Sequence, residues 1–91
     1  MNYPKYIVGK EEMNNEIYEN LDKVILLIFT ASWCRPCKKL KSELENGLYE
    51  KYKDQAIVLY IDVDIEQNKK LMDIYEVSSM PTQIFLQSNL D

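Results

Sequence analysis

The chain has 91 residues, of which 46% are hydrophobic, and it carries a formal net charge of −4. This length and composition are typical of one globular domain, which we place at residues 1–91, and not of a disordered protein. The negative charge argues against a general nucleic-acid binder, and no apolar stretch is long enough to span a membrane. The N-terminal residues lack the apolar core of a signal peptide, so we expect a cytoplasmic protein.

The first part of the chain alternates between strand and helix patterns. Residues 6–8 form a short apolar stretch closed by Gly9, which predicts a strand. Met13, Ile17 and Leu21 recur at every fourth position, which predicts an amphipathic helix over residues 11–21. Residues 24–29 then form an unbroken apolar run rich in branched side chains, the pattern of a strand covered on both faces.

The second part of the chain continues the alternation. A helix of about four turns is predicted by one apolar stripe at spacings of three and four, made of Cys37, Leu40, Leu44, Leu48 and Tyr52. Gly47 lies inside this helix and is expected to weaken or bend it, at a cost of about 0.5–1 kcal/mol relative to Ala. Residues 57–63 predict a second central strand, 67–75 a helix and 82–86 a last strand. The order β-α-β-α-β-α-β predicts an α/β fold with a mainly parallel sheet.

Cys34 and Cys37 are the two cysteines of the chain, and they follow a buried strand at the point where a helix begins. A helix N-terminus lowers the pKa of a thiol, because it offers unpaired N–H groups and a partial positive charge. The second sulfur, one turn further on, can close a disulfide with little backbone movement. The pair therefore indicates thiol–disulfide chemistry.

Two other interpretations of the cysteine pair fit less well. A structural zinc site needs four ligands, and the chain has two cysteines and no histidine, so carboxylates or a second chain would have to complete it. A purely structural disulfide would close a very small loop and remove little entropy from the unfolded chain. We therefore predict a redox role and no metal ligand.

Three segments together form a more specific pattern. They are Phe29-Thr30-Ala31-Ser32-Trp33-Cys34-Arg35-Pro36-Cys37-Lys38, Ile61-Asp62-Val63-Asp64 and Val77-Ser78-Ser79-Met80-Pro81-Thr82. In this combination the chain resembles the thioredoxin family over nearly its whole length. The resemblance implies a thioredoxin-like fold, with a central mixed sheet flanked by helices.

The resemblance also implies roles for the site residues. Cys34 would be the attacking thiolate and Cys37 the resolving thiol. The site would be shaped by a further group of residues: Trp33 covering it, Arg35 and Pro36 in the first helical turn, and Met80 and Pro81, joined by a cis bond, in the opposing loop.

Two departures from the family's pattern concern the chemistry. Arg35 stands where the family commonly has Gly, and a fixed cation beside Cys34 is expected to lower the pKa of its thiol and favour the reduced form. We therefore expect a couple more oxidising than the roughly −270 mV of thioredoxin. Ile28 stands where many members bury an Asp that takes the proton of the resolving thiol. Asp62, at the end of the next strand, is the candidate replacement, and proton transfer to water is the alternative.

Two further departures concern the fold. Ser42 stands where a Pro often kinks the long helix, which predicts a straighter helix here. The chain also stops before the final antiparallel strand and helix of full family members. The strand at 82–86 would then have an open edge, and open edges invite pairing with a second chain. The alternatives are that the sequence is a piece of a longer chain, or that it is a minimal version of the fold that either forms a dimer through this edge or is marginally stable.

The expected function is that of a protein thiol–disulfide oxidoreductase, most simply a disulfide reductase. Its partners would be protein substrates with disulfides and an electron donor resembling thioredoxin reductase, and no cofactor beyond the Cys34–Cys37 pair is needed. Two alternatives stay open. One is a thiol oxidant, isomerase or glutaredoxin-like variant. The other is a thioredoxin-fold binding module that needs no redox chemistry, although retention of both cysteines argues against it.

Overall fold

The computed structural model describes residues 2–88, so that Met1 and residues 89–91 of the predicted domain lie outside the described residues. Its strands and α-helices are β1 Lys5–Ile7, α1 Gly9–Tyr18, β2 Val24–Thr30, α2 Arg35–Glu43, β3 Ala56–Asp62, α3 Lys69–Ile74 and β4 Thr82–Leu86. A π-helical turn and a 3₁₀ turn follow α2, and another 3₁₀ turn precedes α3. No helix within residues 2–88 is both long and apolar enough to cross a bilayer.

The four strands form one mixed sheet in the order β1-β3-β2-β4. β3 pairs in parallel with β1 and with β2, whereas β4 pairs antiparallel with β2. The predicted β-α-β-α-β-α-β order and the mainly parallel sheet are confirmed. β2 and β3 lie at the centre and are buried along nearly their whole length, which explains why both read as unbroken apolar runs.

Alternate residues of the central strands enter two different apolar clusters. Leu27 and Leu59 belong to the larger cluster, which also receives side chains of α1 and α3. Ile28 and Tyr60 belong to the smaller cluster, which packs against α2. Because side chains alternate along a strand, Thr30 and Asp62 face the same side as Ile28 and Tyr60, at the carboxyl ends of β2 and β3.

The long second helix is interrupted, and the prediction of one continuous helix to residue 52 is wrong. The backbone leaves the helical region at Asn46, and Gly47 adopts φ +128°, which a side chain would disfavour. The break shifts the phase of the apolar stripe, so that Tyr49 is 8% exposed while the predicted core residue Leu48 is 42% exposed. The expected bend at Gly47 is confirmed. The regular part of the helix passes through Ser42 without a break.

The first helix ends earlier than predicted. α1 stops at Tyr18, and Leu21 lies beyond it, exposed. The side-chain amide of Asn20 donates to the carbonyl oxygen of Glu16 at 2.8 Å, so that it satisfies one of the carbonyl groups left free at the helix end. A side chain that competes for backbone groups in this way favours termination over another turn.

A polar cluster attaches β1 to α1. The hydroxyl of Tyr3 donates to Glu16 Oε1 at 2.5 Å and accepts from the amide of Asn20 at 3.1 Å, while Lys5 forms an ion pair with Glu16. Burial raises the pKa of the Glu16 carboxyl, but the hydrogen bonds from Lys5 and Tyr3 outweigh burial and leave the pKa below its usual value. The cluster fixes β1, which carries Tyr6 toward the cysteine site.

Candidate active site

The cysteine pair lies where the chain passes from β2 into α2. Cys34 is the N-cap of α2, with an extended backbone. Its N–H donates to the carbonyl of Ala31 at 3.2 Å, and its own carbonyl accepts from the N–H of Lys38 at 3.3 Å. Pro36 occupies the first turn of the helix, where a backbone N–H has no partner within the helix. Both sulfurs are therefore fixed on the first turn of α2.

The two cysteines are joined by a disulfide, with their Cα atoms 5.3 Å apart. Both are buried, and the N–H of Cys37 points at Cys34 Sγ, 3.2 Å away. When the pair is reduced, this donor and the positive end of the helix stabilise a thiolate on Cys34. Within residues 2–88, no group of three or more His, Cys, Asp or Glu side chains is placed to hold a metal ion.

The loop before β4 lies against the disulfide. The Met80–Pro81 peptide bond is cis, and the carbonyl oxygen of Met80 is 3.6 Å from Cys34 Sγ. The hydroxyl of Thr82, the first residue of β4, donates to the carbonyl of Ser79 at 2.5 Å. The structure thus brings Met80 and Pro81 next to the cysteine pair, as the sequence pattern predicts.

The rim of the site is formed by exposed residues on either side of Cys34. Trp33 is 66% exposed, and Arg35 and Pro36 are also exposed. These side chains are available to a protein surface that approaches Cys34. The roles predicted for Trp33 as a cover and for Arg35 as a tuning charge stay predictions.

A pocket of about 340 Å³ lies on the other side of the pair, and we call it the Cys37 pocket. Among its lining residues are Tyr6, Thr30, Cys37, Lys38, Lys41 and Asp62. Thr30 and Asp62 are register partners at the ends of β2 and β3. Asp62 is partly exposed, and its carboxylate accepts a hydrogen bond from the N–H of Asp64 at 2.9 Å. The pocket is roomy enough to hold water between Asp62 and Cys37.

The comparisons with known proteins agree with this geometry. A family model described as Thioredoxin matches residues 5–90. The chain belongs to the thioredoxin family. It is 47% identical over 68 residues to thioredoxin-1 of Drosophila melanogaster, which covers 75% of this chain and 61% of that protein. It is 35% identical to a thioredoxin of Mycoplasmoides gallisepticum, with 91% of this chain and 77% of that protein covered.

Solved structures show the same fold. The crystal structure of Deadhead, the germline-specific thioredoxin of Drosophila melanogaster, superposes with a TM-score of 0.80 at 39% identity, over 93% of this chain and 78% of that one. The thioredoxin-like fold predicted from the sequence is confirmed. The chain spans 61% of the length of Drosophila thioredoxin-1 and 52% of Drosophila thioredoxin-T.

One part of this thioredoxin-family site was not predicted from the sequence. Lys41 lines the Cys37 pocket, and its Nζ lies 4.8 Å from the ring centroid of Tyr6 and 5.6 Å from that of Tyr60. The hydroxyl of Tyr60 donates to Glu45 at 3.1 Å. Burial, together with the hydrogen bond to Glu45, raises the pKa of Tyr60 far above its usual range, so that the ring stays neutral. The sequence does contain one signal that could have identified Lys41: it stands four residues after Cys37 on the same predicted helix.

Proposed function

We propose that the protein is a thioredoxin-type disulfide reductase. The observation that carries this proposal is the buried Cys34–Cys37 disulfide at the N-terminus of α2, beside the cis Met80–Pro81 bond. In the reduced protein, the thiolate of Cys34 attacks a substrate disulfide and forms a mixed disulfide, and one substrate sulfur leaves as a thiolate. Cys37 then loses its proton and attacks Cys34 Sγ, which releases the second substrate sulfur. The substrate gains two electrons and the protein is left with its disulfide.

The residues around Cys34 support the first step. The N–H of Cys37 and the helix N-terminus stabilise the thiolate before attack. A substrate segment that brings its disulfide to Cys34 would lie along Met80 and Pro81, with Trp33 as an exposed apolar contact. An exposed aromatic ring beside a reactive sulfur is well suited to recognising a protein surface.

The reaction needs a donor but no resident cofactor, because the cysteine pair itself stores the two electrons. After each turnover the disulfide must be reduced by a partner, for which we propose an enzyme resembling thioredoxin reductase. We place the reaction in the cytoplasm, where thiols are kept reduced and a Cys-x-x-Cys pair is more often catalytic than structural.

The reduction potential of the pair tests both the function and the effect of Arg35. We expect equilibration with dithiothreitol or glutathione buffers to give a potential above the roughly −270 mV of thioredoxin, because a cation beside Cys34 favours the reduced form. Arg35→Gly should lower the potential by roughly 10–20 mV, the size expected of an exposed charge. Lys39→Ala, which removes an exposed charge on the same helix outside the Cys37 pocket, is the control and should leave the potential unchanged.

The outcomes of that titration separate the competing functions. A wild-type potential at or below that of thioredoxin would refute the effect of Arg35 but leave a reductase. A potential far above it would favour a thiol oxidant or isomerase. Failure to form the disulfide, together with failure to reduce insulin with dithiothreitol as donor, would leave a binding module as the best account.

Asp62 is proposed as the group that takes the proton of Cys37 through water in the Cys37 pocket. Asp62→Asn keeps the size of the side chain and removes the base. We expect the rate at which Cys37 displaces the substrate thiolate from Cys34 to fall about 100-fold at neutral pH, the lower end for loss of a general base, and the pH dependence of Cys37 alkylation in a Cys34→Ser background to change. Asp64→Asn is the neighbouring control. An unchanged pH dependence in Asp62→Asn would assign proton transfer to water alone.

We also propose that the free edge of β4 pairs with a second copy of the chain. Within residues 2–88, β4 is paired with β2 on one side, and Phe85 on this strand is 68% exposed. Exposed apolar edge strands favour pairing between chains. Sedimentation velocity from low to high micromolar concentration should show a dimer that Phe85→Lys abolishes. Tyr18→Lys, at an exposed position of α1, should leave it intact.

A further inference from the structure

Lys41 is placed to act on the second sulfur of the pair. It lies on α2 four residues after Cys37, and residues at this spacing lie on the same face of a helix. Both side chains line the Cys37 pocket. Lys38 also lines the pocket, but it is exposed, whereas Lys41 is only partly exposed. Lys41 is therefore the more buried of the two lysines that line the pocket with Cys37.

Two aromatic rings fix the ammonium group of Lys41. The rings of Tyr6 on β1 and Tyr60 on β3 have centroids 5.0 Å apart, and the ammonium lies within 6 Å of both. Within residues 2–88 Lys41 forms no ion pair with a carboxylate. The rings hold the ammonium without an ion pair, but two carboxylates lie in its surroundings and reduce its net effect: Asp62 lines the same pocket, and Glu45 accepts from the Tyr60 hydroxyl and shares a surface pocket with Lys41.

The groups that face Cys37 across the pocket come from every element around it. β1 contributes the Tyr6 phenol, α2 contributes Lys38 and Lys41, and β3 contributes Asp62. β2 contributes Thr30, which does not titrate. On the opposite side Cys37 meets Cys34, the atom that it attacks. Further along the same face Ile28 carries no charge, and the Tyr60 hydroxyl donates to the carboxylate of Glu45, which shares a surface pocket with Lys38 and Lys41. Lysine thus supplies all of the positive charge in this pocket.

We infer that Lys41 is a positioning residue for the resolving step, and that its ammonium stabilises the thiolate of Cys37 as this sulfur attacks Cys34. The inference rests on the proposed function. In this step the proton of Cys37 passes into the pocket, a bond forms between the two sulfurs, and the bond between Cys34 and the substrate sulfur breaks. The substrate sulfur leaves with the electron pair as a thiolate. A positive charge held in the pocket favours the deprotonated form of Cys37.

The test is the release of two thiolates from 5,5′-dithiobis(2-nitrobenzoate) by the reduced protein. The first release reports attack by Cys34, and the second reports attack by Cys37 on the mixed disulfide. Because the second step is unimolecular, its rate does not depend on how strongly the anionic probe is attracted to the surface. The rate of the second release is measured against pH for the wild type, Lys41→Met, Lys41→Arg and the control Lys39→Met.

We expect Lys41→Met to move the midpoint of the second release upward by about 0.5–1 pH unit and to slow it by about 3–10-fold below the midpoint. Lys41→Arg should restore the wild-type profile, because it keeps the charge and the contact with the rings. Lys39→Met should match the wild type. Tyr6→Leu, which removes one of the two rings beside the ammonium, should shift the midpoint in the same direction by a smaller amount.

Two results would overturn the inference while leaving the proposed function intact. One is an unchanged midpoint in Lys41→Met, and the other is an equal fall in rate at every pH, which would indicate a purely structural role. If instead the wild type released no second thiolate, the proposed function itself would fail, and the role of Lys41 with it.

Discussion

Cys37→Ser is expected to stop turnover and to leave the protein covalently attached to its substrate. Cys34 can still attack, but no second thiol follows it on the first turn of α2. Release then depends on external thiol and should be slower by roughly 10³-fold or more, because a well-oriented intramolecular group acts at an effective concentration far above any free thiol. Mass spectrometry after mixing the reduced variant with insulin should show the mixed disulfide.

Cys34→Ser is the matched control for this experiment. Both cysteines are buried, but Cys34 is the N-cap, receives the N–H of Cys37 and is flanked by exposed residues, whereas Cys37 lies one turn further on, so Cys37 should form little adduct with a protein disulfide. The opposite pattern, an adduct in Cys34→Ser and none in Cys37→Ser, would reverse the assignment of the attacking and resolving thiols.

Asn68→Ala is expected to be strongly destabilising, although Asn68 is polar and lies outside the predicted core. Its side chain is 0% exposed and bridges two backbone groups: it accepts from the N–H of Gly9 at 2.8 Å and donates to the carbonyl of Asp62 at 2.9 Å. Alanine leaves both partly buried groups without their partner, and each such loss costs about 1–3 kcal/mol. We therefore expect the free energy of unfolding to fall by about 2–4 kcal/mol.

Urea denaturation measures this effect through the midpoint at constant slope. Asn46→Ala is the control, because the amide of Asn46 donates to the exposed hydroxyl of Ser42, and its removal should cost less than about 0.5 kcal/mol. A loss below about 1 kcal/mol in Asn68→Ala would mean that water replaces the amide at both backbone groups.

The sheet could be predicted closely because the strands carry their own signal. The predicted strand at 24–29 is one residue shorter than β2, the one at 57–63 is displaced by one residue from β3, and 82–86 is the same as β4. The helices were less predictable. The apolar stripe through Leu48 assumed a constant helical phase, and one positive φ at Gly47 changed which residue is buried. No periodicity within the helix reports a local break of this kind.

The site was predictable only where its residues are contiguous in the sequence. The segment around Cys34 and Cys37, and the Met80–Pro81 pair, are short motifs that can be read directly. The burial of Asn68 and the contacts of Lys41 cannot be read from the sequence in this way, because they depend on how β1 pairs with β3 and packs beside α2. The sequence around a buried asparagine, or around a lysine that contacts two rings, looks like that of an exposed surface residue. Only the contacts formed in the folded chain distinguish the two cases.

The break at Asn46 and Gly47 separates the helical phase of α2 from that of the residues that follow it. In an uninterrupted helix, each inserted residue rotates everything beyond it by about 100°. At Gly47 the helical register is already lost, and a Cβ added there would meet no atom within 4 Å. A change in helical phase beyond this point is therefore not carried through one continuous helix to the turn that holds Cys37 and Lys41. After the break the chain can bury Tyr49 and expose Leu48, a choice that one continuous helix in phase with Cys37 would not allow.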